Sequence, residues 1–504
     1  MSTAPEVATR SGRVRGVQRP GSAAFLGIPF AEAPVGPRRF AAPEPAAPWE
    51  GVRDATEHGP TPQRRPFGAL TTIPEPSIPG ESTLNVDVFT PAPGDREALL
   101  PVFVWIHGGG YFAGSPASPW YDGASFNRDG VVTVVVSYRL GFDGFGWIDG
   151  APLNRGLLDQ IAALRWVREN VREFGGDPDR VTIGGQSAGG GSVLSLLASP
   201  QAAGLFHRVV SHSGATADLL PAAAEEVGRK LAAHLGTTPD LAGWRSVPEE
   251  AVLDAERSFN VVPGRPQLLG ERIDVDAALH LARTGASVVA SMAFTPAVDG
   301  VVLPTDVETA LAAGAGADVD LLMGTTRNEF AVPTATGVED VVRRLAAAGV
   351  DAEGIAAYRA EVARVGERFA ASQALVSAGF RATLVRLAAA RGRAGAGART
   401  WLFDFAERSA VEGVAAHCHD LPYAFDLLGA EGVAAVLGER PDQALADRVH
   451  ADWVRFVRDG SLPWASARDS VVAAQRYGDG TAFDPAAYLL DAQVAQVAGV
   501  PATA

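Results

Sequence analysis

Ser187 sits in Gly185-Gln186-Ser187-Ala188-Gly189, a Gly-x-Ser-x-Gly pattern that directly follows the apolar run Val181, Thr182, Ile183. The run reads as a short buried strand and the small residues Ser187 to Gly190 as a helix start, so the serine falls on a sharp turn, a nucleophile elbow. Glycine is needed at 185 and 189, because a side chain on either flank would meet neighbouring backbone where strand reverses into helix. A hydroxyl so exposed could attack an electrophilic carbon, provided a base lies within hydrogen-bond reach and a third group orients that base. A second run, His107-Gly108-Gly109-Gly110-Tyr111, follows the apolar stretch Pro101 to Ile106. Glycines there let backbone approach closely and turn N–H groups toward a developing oxyanion. The chain has 56 glycines, so the five-residue pattern alone carries little weight and the longer context decides.

That context is Phe174-Gly-Gly-Asp-Pro-Asp-Arg-Val-Thr-Ile-Gly-Gly-Gln-Ser187-Ala-Gly-Gly190. It resembles the signature of the type B carboxylesterases, the family that also holds cholinesterases and bacterial p-nitrobenzyl esterases. The resemblance runs from about Gly12 to Tyr488 and implies an α/β-hydrolase fold, with a Ser-His-Glu triad in the chain order serine, acid, histidine. Gly324-Thr-Thr-Arg-Asn-Glu329 resembles the family's Gly-x-Asn-x-Asp-Glu motif and maps the acid onto Glu329, with Thr326 and Asn328 departing from the pattern. Ala416-His417-Cys-His-Asp-Leu-Pro-Tyr-Ala-Phe425 resembles His-x-x-Glu/Asp-Leu-Pro-Phe/Tyr-x-Phe and maps the base onto His417; His419 is the rival, expected behind the site or at the surface. By the same resemblance the oxyanion donors are the N–H groups of Gly109, Gly110 and Ala188, with His107 as a support of its loop. Ser213 is expected to hydrogen-bond behind the triad, and Arg39 to pair with Glu81 as in relatives. Cys418, beside the base, is read as a small buried residue whose side chain points away from that of His417. No metal or organic cofactor is implied.

The elements that must hold these groups are legible from patterning. Pro101–Ile106 and Val131–Ser137 are continuous β-branched runs, as in strands covered on both faces. Asn154 to Phe174 has apolar residues at helical spacing and stops at Gly175. Val209 to Gly214, Val319 to Gly324 and Thr400 to Phe405 read as further strands. The fold class is α/β, with a mostly parallel central sheet flanked by helices. Alanine-rich stretches near 220–290 and 331–395 read as helical insertions roofing the site, within a single domain of residues 1–504. The first hundred residues, rich in proline and glycine, read as a small antiparallel entry sheet and a wrapping loop.

Composition narrows the function class. Hydrophobic residues make up 47% of the chain, enough for a large core, and a net charge of −15 leaves no basic stripe for nucleic acid. No stretch approaches the roughly 20 apolar residues of a membrane span, and Met1 to Arg13 shows no secretory pattern. Cys418 is the only cysteine, which excludes an intrachain disulfide and favours a reducing cytoplasm. The expected partner is a small-molecule ester. Gln186 stands where choline-ester relatives carry glutamate, and Phe67 is the only aromatic between Pro66 and Thr83, so a quaternary ammonium would gain little. Neutral short-to-medium or aromatic esters are therefore expected. An amidase or lactonase would use the same residues. A lipase would need a mobile lid, for which Pro66 to Pro79 is short and rigid. A non-catalytic interaction protein would normally lack the serine.

Overall fold

A computed structural model of the chain describes residues 4–65, 73–216, 218–263, 273–285 and 288–497. Among these residues fourteen strands form two sheets. The small one joins β1 (Glu6–Ala8), β2 (Arg13–Arg15) and β5 (Val52–Asp54). It is mixed rather than antiparallel, since β1 opposes β2 but β5 runs parallel to it. The antiparallel N-terminal strands β3 (Val17–Arg19) and β4 (Ser22–Pro29) instead join the main sheet.

That main sheet has eleven strands, with β6 (Asn85–Thr90), β7 (Leu100–Ile106), β8 (Val132–Val136), β9 (Gly176–Gln186), β10 (Arg208–His212), β11 (Asp320–Thr326), β12 (Thr400–Phe405), β13 (Ala474–Tyr477) and β14 (Ala482–Asp484). Their order is β14-β13-β12-β11-β10-β9-β7-β8-β6-β4-β3. From β8 through β13 neighbours are parallel, and the antiparallel pairs lie at the two flanks. Every residue of β8 and nearly every one of β7 is buried, as strands covered on both faces require. One face packs against helices Arg155–Asn170 and Ala188–Ala198, through Leu157, Ile161, Leu164, Val193 and Leu196. The other packs against helix Gln443–Asp459 through Val449, Trp453 and Phe456. Helix Arg155–Asn170 runs on as a 3-10 turn to Phe174 and stops at Gly175, whose φ of 82° suits glycine.

The alanine-rich stretches form helices Pro221–His234, Leu241–Ser246, Glu249–Phe259, Val275–Thr284, Val338–Ala347, Ala352–Val365, Ala370–Val376 and Ala382–Arg393, with a π-helical turn at Ser377–Arg381. Arg39 does not pair with Glu81, which is exposed. Its guanidinium meets both carboxylate oxygens of Asp143 (3.1 and 3.3 Å), because the short helix Gly141–Phe145 brings that aspartate alongside. Phe67, with the rest of 66–72, lies outside the described residues. No helix among the described residues is long and apolar enough to cross a membrane.

Candidate active site

The parallel strands all end on one side of the sheet, and the chemistry-bearing residues follow those ends. Ser187 comes after β9, the glycine loop after β7, and Glu329 three residues after β11. At the elbow Ser187 has φ 57° and ψ −120°, a region that costs of order 1–3 kcal/mol and must be imposed by its surroundings. The imposing groups are close. A Cβ on Gly185 would run into the backbone of Gly189, and one on Gly189 into the carbonyl oxygens of Ile106 and His107, so strand, helix and glycine loop touch only because both residues lack side chains.

The glycine loop curls over the serine. A Cβ on Gly108 would lie 2.6 Å from the Gln186 carbonyl oxygen and 3.2 Å from the Ser187 Cβ. Gly109 has φ 114°, and neither it nor Gly110 donates its N–H to another group among the described residues. Below them His107 is fully buried, with Nδ1 2.8 Å from the Gly108 carbonyl and its ring stacked on Tyr138 at 4.7 Å. Burial pushes its pKa down to about 4, so it supports the loop as a neutral ring.

Glu329 and His417 meet. The His417 Nδ1 is hydrogen-bonded to Glu329 Oε2, and Glu329 Oε1 accepts from the Thr326 N–H at 3.0 Å. The two departures from the family motif have local explanations. Thr326 supplies its backbone, not its side chain, to Glu329. The Asn328 amide donates to Glu361 (2.7 Å) and Gln373 (3.0 Å) while its oxygen accepts from the Ala415 N–H (3.0 Å). An aspartate could not make the two donations. With Asn328 N–H to Ala415 and His417 N–H to the Glu329 carbonyl, the acid and histidine loops are zipped together. Burial opposes protonation of His417, while the Glu329 carboxylate on its Nδ1 favours it and raises the imidazole above the usual histidine value; the Cys418 thiol, kept protonated by its own burial, adds no charge there.

Beneath the acid loop lies a buried ionic network. Asp404, fully buried on β12, takes Arg327 at 2.9 Å and Arg381 at 2.7 Å, and Arg381 also reaches Asp491 at 2.9 Å. Removing Asp404 takes from buried Arg381 one of its two carboxylate partners and leaves Arg327 only Glu361. Asp404→Ala is expected to cost about 3–5 kcal/mol of unfolding free energy in a urea titration.

Ser187 and His417 line one cavity of about 330 Å3, with Gly109, Gly110, Phe112, Phe294, Phe330 and Phe380 among its walls. Phe330 lies 4.4 Å from the His417 ring and Phe380, on the π-helical turn, 5.6 Å. Such turns recur at functional sites. Sequence reading did not select either ring; Phe330, next to Glu329, was the more findable. Ser187 makes no hydrogen bond to His417 among the described residues. The His417 Nε2 instead lies 3.0 Å from the Gln186 amide nitrogen.

Two expectations need correction. The Ser213 hydroxyl is buried and bonds neither Glu329 nor His417; only the backbone N–H of Ser213 is used, to the Gly324 carbonyl at 2.7 Å. Cys418 does not point away from its neighbour: its left-handed backbone (φ 73°) turns the thiol toward the same cavity, where it interacts with His417. Burial pushes that thiol's pKa up. Of the two places expected for His419, the structure shows the one behind the site: it is buried, does not line the cavity, and its pKa is pushed down to about 4 by burial. A further pair went unread. His212 Nδ1 lies 2.6 Å from Asp420 and its Nε2 accepts from the Trp453 indole at 2.8 Å, tying the histidine loop to β10. The acidic position of the His-x-x-Glu/Asp motif was the available signal.

Glu256 also lines the cavity, with one oxygen accepting from the Phe142 N–H at 3.0 Å. Burial raises its pKa to about 7, the Phe142 bond opposing. A raised acid binds its proton more tightly when folded, so stability falls as pH rises from about 4.5 to about 7. Glu256→Gln is therefore expected to gain up to about 3 kcal/mol over wild type at pH 8 and nothing at pH 4.5, measured by chemical denaturation at both.

Among the described residues no group of three histidine, cysteine or carboxylate side chains could hold a metal ion. The family model described as the carboxylesterase family matches residues 3–353. The para-nitrobenzyl esterase of Bacillus subtilis (strain 168) is 38% identical over 332 residues, covering 64% of this chain and 62% of that protein. The medium-chain fatty acyl-CoA hydrolase precursor of Anas platyrhynchos is 45% identical over 251 residues, 46% of this chain and 44% of that one. The matched stretches thus span less than two thirds of these curated relatives. A solved carboxylesterase of Geobacillus stearothermophilus superposes with a TM-score of 0.78 at 32% identity, over 97% of this chain and 99% of that one. The architecture described above is accordingly the α/β-hydrolase fold.

Proposed function

Since this chain belongs to the carboxylesterase family, we propose that it hydrolyses carboxylic esters through a Ser187-His417-Glu329 triad and an acyl-enzyme. The observation that carries the proposal is that Ser187 and His417 face one cavity while buried Glu329 holds the far nitrogen of the imidazole. In the neutral ring the pair fixes the one imidazole proton on Nδ1 and leaves Nε2 free of hydrogen, the form a general base needs, and the raised pKa makes that base stronger. His417 takes the Ser187 proton as Oγ attacks the acyl carbon. The oxyanion turns to the N–H groups of Gly109, Gly110 and Ala188, each worth roughly 3 kcal/mol of transition-state stabilisation. His417 then protonates the departing alkoxide, and water repeats the sequence on the acyl-enzyme, releasing the acid and restoring Ser187.

The apolar part of the walls supports a substrate class. Phe112, Phe294, Phe330 and Phe380, with Met292 and Leu253, favour esters with aliphatic or aromatic bodies of short to medium size. An amide or lactone would meet the same triad. One buried cysteine is compatible with a reducing cytoplasm. A panel of p-nitrophenyl esters from acetate to decanoate, run beside matched anilides, tests this reading. Ester turnover with an optimum at or below medium length, far above the anilides, is the expected result. No hydrolysis of any ester by folded protein would refute the reading, anilides turned over at comparable rates would make an amidase of it, and rates rising abruptly above substrate solubility would make a lipase.

A further inference from the structure

We propose, resting on the hydrolase reading above, that Gln186 is a positioning residue whose amide holds the His417 lone pair in the free enzyme and must release it to Ser187 in every acylation. With Nδ1 committed to the Glu329 carboxylate, the lone pair of neutral His417 lies on Nε2. Among the described residues that nitrogen is hydrogen-bonded to the Gln186 amide nitrogen at 3.0 Å, a donor, and not to the serine. The base that Ser187 needs is therefore already hydrogen-bonded.

Neither partner can drift away. Gln186 is 1% exposed, at the end of β9. Gly108 lies against it so closely that a Cβ there would stand 2.9 Å from the Gln186 Oε1. The imidazole is flanked by Phe330 and Phe380. What remains to the amide is rotation about its terminal bond. With nitrogen inward it donates to neutral imidazole; after half a turn its oxygen accepts from the Nε2–H of the imidazolium. One side chain thus serves both protonation states, which a carboxylate or a thioether at 186 could not. The titratable groups facing His417 are Glu329 from the acid loop and Cys418 and His419 from its own loop. Phe330, Phe380 and Gln186 itself add no charge.

The test is the pH dependence, between pH 5 and 9, of Ser187 phosphonylation by a fluorophosphonate and of kcat/KM for p-nitrophenyl acetate, in wild type, Gln186→Glu and Gln186→Met. A glutamate accepts only and stabilises the imidazolium, so its acidic limb is expected to move up by roughly one to three pH units. A methionine frees the lone pair, so plateau phosphonylation is expected to rise about fivefold, the equivalent of one neutral hydrogen bond. A limb in Gln186→Glu that superimposes on the wild-type limb overturns the proposal, as does a methionine plateau at or below wild type, since both would describe a merely structural residue. Failure of wild type to label at Ser187 would instead sink the hydrolase reading, which separates the two.

Discussion

Ser187→Ala is expected to lower kcat for p-nitrophenyl ester hydrolysis by about a million-fold, His417→Ala by a comparable factor, and the double variant by no more than either single. In the proposed mechanism serine and histidine act as one nucleophile: without the base the hydroxyl keeps its proton, and without the hydroxyl the base has nothing to activate. KM should move little, because the phenylalanine walls that would bind the substrate's body are untouched. Steady-state kinetics on the three proteins, with unfolding curves to show that each is folded, check this. Multiplying losses in the double variant would mean that the two side chains work independently, which the elbow chemistry does not allow.

Glu329→Gln is expected to cost about ten-thousand-fold in kcat while leaving the site assembled. The replacement is nearly isosteric and its oxygen can still accept from the Thr326 N–H. Its amide, however, would donate to His417 Nδ1, driving the imidazole proton to Nε2. That nitrogen could then no longer accept from Ser187, and the Gln186 amide, 3.0 Å away, would turn its oxygen to accept from the new Nε2–H. The loss should fall on kcat, with KM close to wild type. A variant within tenfold of wild type would show that Glu329 does not fix the tautomer and would reopen the choice of acid.

How much of this was legible depends on how local the signal is. The strands β7, β8, β10, β11 and β12 were readable because a strand buried on both faces must be a continuous apolar run, as Val132–Val136 is. The antiparallel flank was not, because β6 (Asn85–Thr90) mixes Asn85, Asp87 and Thr90 with its apolar residues, all six of them buried. Asp87 tolerates burial only through partners distant in sequence, His58 and the Gly27 N–H. The elbow, the glycine loop and the two motif loops lie within short windows, so the residues at Ser187, Glu329 and His417 could be picked before their geometry was known. The Arg39 partner, the idle Ser213 hydroxyl and the inward turn of Cys418 are set by backbone paths that no window encodes. The same holds for Phe380, whose approach to His417 rests on a π-helical turn and on the Arg381, Asp404 and Asp491 ion pairs that anchor the next residue.

The central claim is that Ser187 is a nucleophile activated by His417. Incubating the protein with a fluorophosphonate probe and locating the adduct by peptide mass spectrometry, in wild type and in His417→Ala, tests it most directly. Stoichiometric labelling at Ser187 that is greatly slowed in the variant is the predicted result. An unlabelled, well-folded wild type, or labelling that His417→Ala leaves as fast, would contradict it.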